Sequence, residues 1–243
     1  VDEKYKYRRY IAYFDMLGME PAVDRNMFEA MDALHRIDQS KELISQFGLY
    51  VESLNKKITV KDQIKFFIFS DTIIAYSYKD EIEDLWAILF YASEMFCQTL
   101  HRKVPLRGSV TLGNFIFDLE KNFFLGPALN EAYTIAENTQ WLGVCLSDDV
   151  AQNCIESNIR GGDKDPLCVE WNTPKKDMNI QGKYVLNWLA THKHNFLVKP
   201  PLSPEVFYQF KDLFGEYDSL SEDIKKKYQN TVNFINEMFK VNV

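Results

Sequence analysis

Basic residues are in the minority in this chain, with 28 Lys and Arg against 35 Asp and Glu over 243 residues and a formal net charge of −7. No basic face dominates, which argues against a general nucleic-acid binder, because neutralising a phosphate backbone takes a concentrated positive surface. A nucleotide site stays open, since it needs only a metal and a few cations. Cysteine is scarce too. Cys97, Cys145, Cys154 and Cys168 form no CxxC pair and have no histidine at zinc-ligand spacing. They read as reduced core thiols of a cytosolic protein. His192 and His194 lack a cysteine or acidic partner at ligand spacing and read as surface residues. No secretory signal and no apolar run of membrane-spanning length is found, so a soluble, cytoplasmic protein with no membrane partner is expected. Low-complexity tracts and internal repeats are absent as well.

What is there is a globular composition, 46% hydrophobic and 14% aromatic, long enough to bury a substantial core. YIAYFDML reads as a first strand. From Asn26 to about Leu54 the pattern is helical, with Phe28, Met31, Leu34, Ile37, Leu43, Ile44 and Phe47 near helical spacing. IKFFIFSDTIIAYSY is dense in β-branched and aromatic residues and broken by Ser70-Asp71, so it reads as two strands joined by a tight turn. Glu81 to Leu100 is a second long helix. LRGSVTLGNFIF follows as a strand, GPALNEAYTIAEN as a short helix with Gly126-Pro127 at its entry, and LGVCLS as another strand.

This order predicts an α+β fold, a mainly antiparallel sheet with helices packed on one face. Residues 1–155 would form the core and 156–243 an extension packed on it. In the extension, Cys168 to Trp171 and Tyr184 to Trp188 suit edge strands. Two closing helices follow Pro200-Pro201, one starting near Pro204 and one at Ser221-Glu222-Asp223.

Two aspartates stand out. Period-two alternation puts Tyr13 and Asp15 on one face of the first strand, and Phe67, Phe69 and Asp71 on one face of the hairpin. An unpaired carboxylate in an apolar sheet is costly. Each is either a turn residue, before Gly18 or within Ser-Asp-Thr, or one of a pair converging on a hard divalent cation that takes its other ligands from phosphate and water.

Over roughly Tyr10 to Val150 the chain resembles the class III nucleotide cyclases. FDMLG looks like their first strand, which ends in a metal aspartate followed by a hydrophobic pair and glycine. FSDTIIAYS looks like their central hairpin with a second metal aspartate. LRGSVTLG is similar to their Leu-Arg-x-Gly-Ile-x-x-Gly strand in the Leu-Arg pair, the apolar position and the last glycine, GPALN to their Gly-x-x-Val-Asn helix start, and LGVCLS to their closing strand. The resemblance implies a class III cyclase-like, ferredoxin-like fold with a C-terminal helical extension. It also implies two Mg²⁺ or Mn²⁺ ions per site, held by Asp15, Asp71 and the Met16 backbone carbonyl.

By the same resemblance, amides of Leu17 and Gly18 would take the outer phosphates, and Asn130 would orient the ribose unless it merely caps its helix. Arg107 would contact phosphate, with a structural salt bridge the alternative. Tyr13 would reach the nucleotide or serve as a core aromatic. The lysine and aspartate with which adenylate cyclases read adenine are replaced by Phe67 and Phe123, which become base-pocket walls or ordinary core residues, and the usual transition-state arginine by Thr134. This pattern looks most like the pyrimidine cyclases of bacterial Pycsar anti-phage defence. It implies that UTP or CTP is cyclised to a messenger for a separate effector. The site would form between the two chains of a head-to-tail homodimer. A purine cyclase, a cyclase-fold binding module without turnover and an unrelated α+β scaffold are the competing accounts.

Overall fold

The computed structural model describes residues 8–102, 104–118, 121, 123–161, 165–177, 179–180, 182–192 and 217–240. The predicted first strand is β1 (Arg8–Met16). Gly18 turns the chain out of it at φ 78°, a left-handed value that a residue without a Cβ adopts at little cost. Helices α1 (Met19–Arg25) and α2 (Met27–Ser45) follow, α2 capped by the Asn26 side chain, which accepts from the Phe28 amide at 3.1 Å. The expected single helix to Leu54 is therefore shorter. Beyond Ser45 the chain forms a hairpin of β2 (Gly48–Val51) and β3 (Lys56–Thr59), with Asn55 at φ 50° between them. Phe47 and Leu54 fit a helical spacing by coincidence, and both stay exposed.

After α3 (Val60–Gln63) comes the predicted hairpin, β4 (Ile64–Phe69) and β5 (Thr72–Ser77). Next is α4 (Ile82–His101), started by a capping box between Glu81 and Asp84. The long strand predicted from Leu106 is β6 (Leu106–Asn114), but it ends before Phe115. Its tail is a separate ribbon of β7 (Ile116–Asp118) and β8 (Phe123–Leu125). The remaining elements are α5 (Pro127–Asn138), β9 (Val144–Leu146), α6 (Asp148–Glu156), β10 (Cys168–Glu170), β11 (Tyr184–Leu186), α7 (Leu189–His192) and α8 (Glu222–Lys240). The sequence pattern had given no sign of α6. The first of the two predicted closing helices, with Pro200, Pro201 and Pro204, lies outside the described residues, as does His194.

Seven strands make one sheet in the order β10-β11-β9-β6-β1-β5-β4, antiparallel except where β9 runs parallel to β6. One face of β1, with Tyr10, Ala12, Phe14 and Met16, joins the main core under α2, α4 and α6. The other face, with Ile11 and Tyr13, packs under α5, so one helix lies opposite the main helical layer. β1 and β6 approach closely because Gly108 faces Phe14; a Cβ there would sit 2.6 Å from the Phe14 ring and from the Tyr13 carbonyl.

The strands expected after residue 155 extend this same sheet, but only β10 is at its edge; β11 is paired on both sides, with β10 and β9. Trp171 of the extension and Phe234 of α8 pack on Trp141 with ring centroids 4.6 and 4.9 Å away. Burying side chains of this kind contributes about 1.5–3 kcal/mol each, so extension and core share one apolar interior. All four cysteines are buried and unpaired by disulfide. No helix among the described residues is long and apolar enough to cross a membrane.

Candidate functional site

Cross-strand register builds the site. On the face carrying Asp15, residues line up as Phe69–Thr72–Asp15–Arg107 at one end of the sheet, then Phe67–Ile74–Tyr13–Ser109, then Lys65–Tyr76–Ile11–Thr111. Helix α5 covers the β1–β6 half of this face. Its alanines at 128, 132 and 136 let it come close, and its backbone is tied down by Ser109 Oγ donating to the Ala132 carbonyl at 2.6 Å and Thr111 Oγ1 to the Ala128 carbonyl at 2.8 Å. Gly126 is required at its entry, where a Cβ would lie 2.3 Å from the Asn114 carbonyl oxygen.

The two aspartates meet through the backbone. Asp15 is opposite Thr72, and the Met16 amide donates to the Asp71 carbonyl at 2.8 Å. The tip of the β4–β5 hairpin is thereby fastened to the end of β1. Ser70 makes the turn at φ 55°, which costs a residue with a side chain about 1–2 kcal/mol relative to right-handed backbone. Ser70→Gly is therefore expected to raise stability by up to about 1 kcal/mol, once the larger chain entropy of glycine is counted. A thermal melt checks this, and a drop in melting temperature contradicts it.

Asp71 is half-buried, and its carboxylate has no hydrogen-bond or ion-pair partner among the described residues. Asp15 is more enclosed. Its Oδ2 accepts from Arg107 Nε at 2.8 Å and is also 2.8 Å from Nη2, whereas Oδ1 has no partner among the described residues. Burial raises the Asp15 pKa, and this outweighs the opposing pull of Arg107; Glu137 and Asp71 push it the same way as burial.

Arg107 is shared. Its Nη1 donates to the Glu137 carbonyl at 3.3 Å and its Nη2 to the Glu137 carboxylate. Lys176 lies 3.8 Å from the other Glu137 oxygen. The 176–177 loop also caps α5. The Lys176 amide donates to the Asn138 carbonyl, and Asn138 exchanges side-chain bonds with the Asp177 backbone. Arg107 thus makes the structural ion pair that was the alternative to a phosphate contact, and in this state the guanidinium is engaged.

Other expected site residues divide. Tyr13 is buried beside Asp15, its ring edge-on to Tyr133 at 5.8 Å and its hydroxyl near Thr72. Burial pushes that hydroxyl up, so it stays a protonated donor. The Leu17 amide donates to the Pro105 carbonyl at 3.1 Å and is taken; that of Gly18 has no partner among the described residues. Asn130 is exposed and does not cap: Gly126 is the N-cap of α5, and the Asn130 carbonyl accepts from Thr134 Oγ1 at 2.8 Å. Asn130 sits two turns before Glu137, about 10 Å along the helix from the Arg107 end.

Phe67 packs against Phe124 at 4.8 Å. Together with Phe69, Thr72 and Ile74 they line a cavity of ≈ 540 Å³ beside the aspartates. Phe123 faces away, 61% exposed, so the wall expected there is formed by its neighbour Phe124. A larger cavity, ≈ 890 Å³, is lined by Trp86, Phe90 and Arg160 on the other side of the sheet, away from the carboxylate pair.

Glu137, Lys176 and Phe124 were missed by sequence reasoning. The seating of α5 on β6 brings Glu137 to Arg107, the 176–177 loop brings Lys176 to Glu137, and the β7–β8 ribbon brings Phe124 against Phe67. A hard cation suits the donor set: two carboxylates at adjoining strand ends, Asp15 with Oδ1 unclaimed and Asp71 with both oxygens unclaimed among the described residues. Among the described residues there is no group of three or more His, Cys, Asp or Glu side chains that could hold a metal ion, so an ion at the two aspartates would need its other ligands from phosphate and water.

No protein-family model and no curated protein matches the chain. Among solved structures it is similar to the catalytic core of a rhodopsin-guanylyl cyclase with converted specificity, crystallised with ATPαS, at 10% identity over 74% of this chain and 96% of that one, TM-score 0.49. It is similar to the adenylyl cyclase CyaB from P. aeruginosa at 9% identity over 82% and 98%, TM-score 0.47. A bacterial light-regulated adenylyl cyclase is similar at 12% identity over 76% and 52%, TM-score 0.48. Every one of these scores is below 0.5, so the roles of Asp15, Asp71 and Arg107 rest on this chain's own residues.

Proposed function

We propose that the chain is a metal-dependent nucleotide cyclase that converts UTP or CTP to the 3′,5′-cyclic monophosphate and pyrophosphate, a messenger for a separate effector in anti-phage defence. The observation that carries this is the meeting of Asp15 and Asp71 at one end of the sheet, fastened by the Met16–Asp71 backbone bond. It is supported by the motif order read in the sequence. Asp15 and Asp71, with the Met16 carbonyl, would hold two Mg²⁺ or Mn²⁺ ions. Such ions supply activation of the ribose 3′-hydroxyl and neutralisation of the triphosphate.

The protein's own groups do the rest. The Gly18 amide and the Lys176 ammonium offer donors to phosphate oxygens. Tyr13 donates from the floor, and the apolar cavity walled by Phe67 and Phe124 stacks a base without the polar pair that would read a purine. Asn130 is too far along α5 to serve Asp15 of its own chain. It is left to a second copy, in a head-to-tail homodimer. The exposed Phe69, Phe123, Leu125 and Tyr133 offer apolar surface for that contact.

A second reading is favoured by one observation. Arg107 already neutralises Asp15, which suits a nucleotide-binding module without turnover. Incubating the purified protein with ATP, GTP, CTP and UTP in Mn²⁺, beside Asp71→Ala, separates the readings. A cyclic pyrimidine product made by the wild type alone is expected. A cyclic purine would remove the base assignment. Nucleotide binding without product would leave the module.

A further inference from the structure

We propose that Glu137 is a positioning residue that keeps the Arg107 guanidinium in place when a divalent cation takes Asp15. This rests on the reading of Asp15 as a metal ligand. The Arg107 side chain is only 8% exposed, so its charge cannot be left to water. Its donors are divided between two acids. Nε and Nη2 address a single oxygen of Asp15, while Nη1 and Nη2 address the carbonyl and carboxylate of Glu137. Asp15 is thus held from one side, with Oδ1 left over.

A cation on Oδ1 competes with Arg107 for the charge of the same carboxylate and brings two positive charges beside a buried third. Without another acid nearby, Arg107 would be stranded, and an unpaired buried charge is strongly unfavourable. Glu137 supplies that acid from the last turn of α5, where the helix end adds its own partial negative charge. Its second oxygen is steadied by Lys176. Asp15 can then exchange one counter-ion for another while Arg107 keeps a partner. Neither the Glu137 role nor the Lys176 role was visible in the spacing of the residues.

The test is Mn²⁺ binding by the full chain without nucleotide, read from the electron paramagnetic resonance signal of free Mn²⁺. Wild type, Asp15→Asn, Glu137→Gln, Glu137→Asp and Glu131→Gln are compared. Glutamine keeps the shape of Glu137 and can still accept one hydrogen bond, so it reports the charge rather than the packing. Glu137→Gln is expected to weaken the Asp15-dependent binding at least about tenfold, the size of a lost charge-assisted bond. Glu137→Asp is expected to recover part of it. Glu131→Gln removes a charge from the exposed side of the same helix and is expected to change binding less than about twofold, because solvent and salt screen it.

Wild-type affinity in Glu137→Gln, or an equal loss in Glu131→Gln, overturns the proposal and leaves the metal site standing. Wild-type Mn²⁺ binding that Asp15→Asn does not diminish overturns both. Should Glu137→Gln fail to fold, wild-type affinity in a folded Glu137→Asp, whose shorter carboxylate reaches less far, overturns the proposal in its place.

Discussion

Asp15→Asn is expected to lower Mn²⁺-dependent product formation by at least about a thousandfold while leaving the melting temperature unchanged or slightly raised. Loss of a ligand that positions a catalytic cation removes several kcal/mol of transition-state stabilisation, and each 1.4 kcal/mol is about a factor of ten. Stability should go the other way for a reason visible in the site. Burial raises the pKa of Asp15 despite its pairing with Arg107, so the ionised carboxylate is less favourable in the folded protein than in the unfolded chain. A neutral isostere avoids that cost, and Arg107 retains Glu137. Product chromatography beside a thermal melt checks both halves. A variant that loses activity and also melts early would mean that Asp15 serves the fold.

The second large effect concerns the residue between the acids. Arg107→Ala leaves Asp15 and Glu137 without their shared cation, and removing one partner of a buried ion pair costs about 3–5 kcal/mol. For a chain of this size that corresponds to a fall in melting temperature of roughly 6–20 °C. The pH dependence has a definite sign. Without Arg107 the folded-state pKa of Asp15 moves further up, because the largest lowering influence on it is gone. The folded state then binds the proton more readily than the unfolded one, so stability is gained as pH falls and lost as it rises through the folded pKa. The deficit against wild type should be smaller near pH 4.5 than near pH 7.5. Melting curves at the two pH values check this, and a deficit independent of pH would assign the loss to packing.

The parts of the fold that could be read from the chain were those whose local pattern allows one solution. β1, the β4–β5 hairpin, β6, α4 and α5 each lie within a few residues of where alternation, helical spacing and turn residues put them. The errors fell where two patterns coincide. Leu43, Phe47 and Leu54 suit a helix as well as a helix followed by a hairpin. The turn that decides it, Asn55 in the left-handed region, leaves little trace in composition. The strand pattern from Leu106 runs on past the true end of β6 because Phe115 and Phe117 are as strand-like as what precedes them; the break is forced by α5 crossing at Gly126.

The site was partly legible for the same reason. Asp15 and Asp71 sit at strand ends, and strand ends can be counted. Which acid on α5 would meet Arg107 depends on how far the helix slides along β6. Ser109 and Thr111 fix that with hydrogen bonds no spacing rule foresees. Phe123 and Phe124 differ by one position in a three-residue strand, and a single step reverses which of them faces the cavity.

The pairing of β11 with β9 has a consequence for how the molecule comes apart. β9 runs parallel to β6 on one side and is sealed by β11 on the other. A chain cut at Ile155 would carry a naked strand edge, with its backbone donors and acceptors open to any passing strand. It would also lose Trp171 and Phe234 from around Trp141, and Trp188 from beside Phe96. Such a fragment would be inclined to self-associate instead of folding as a smaller version of the whole. The tail, which brings only Lys176 to the site, decides whether the sheet that carries the aspartates unfolds as one cooperative body.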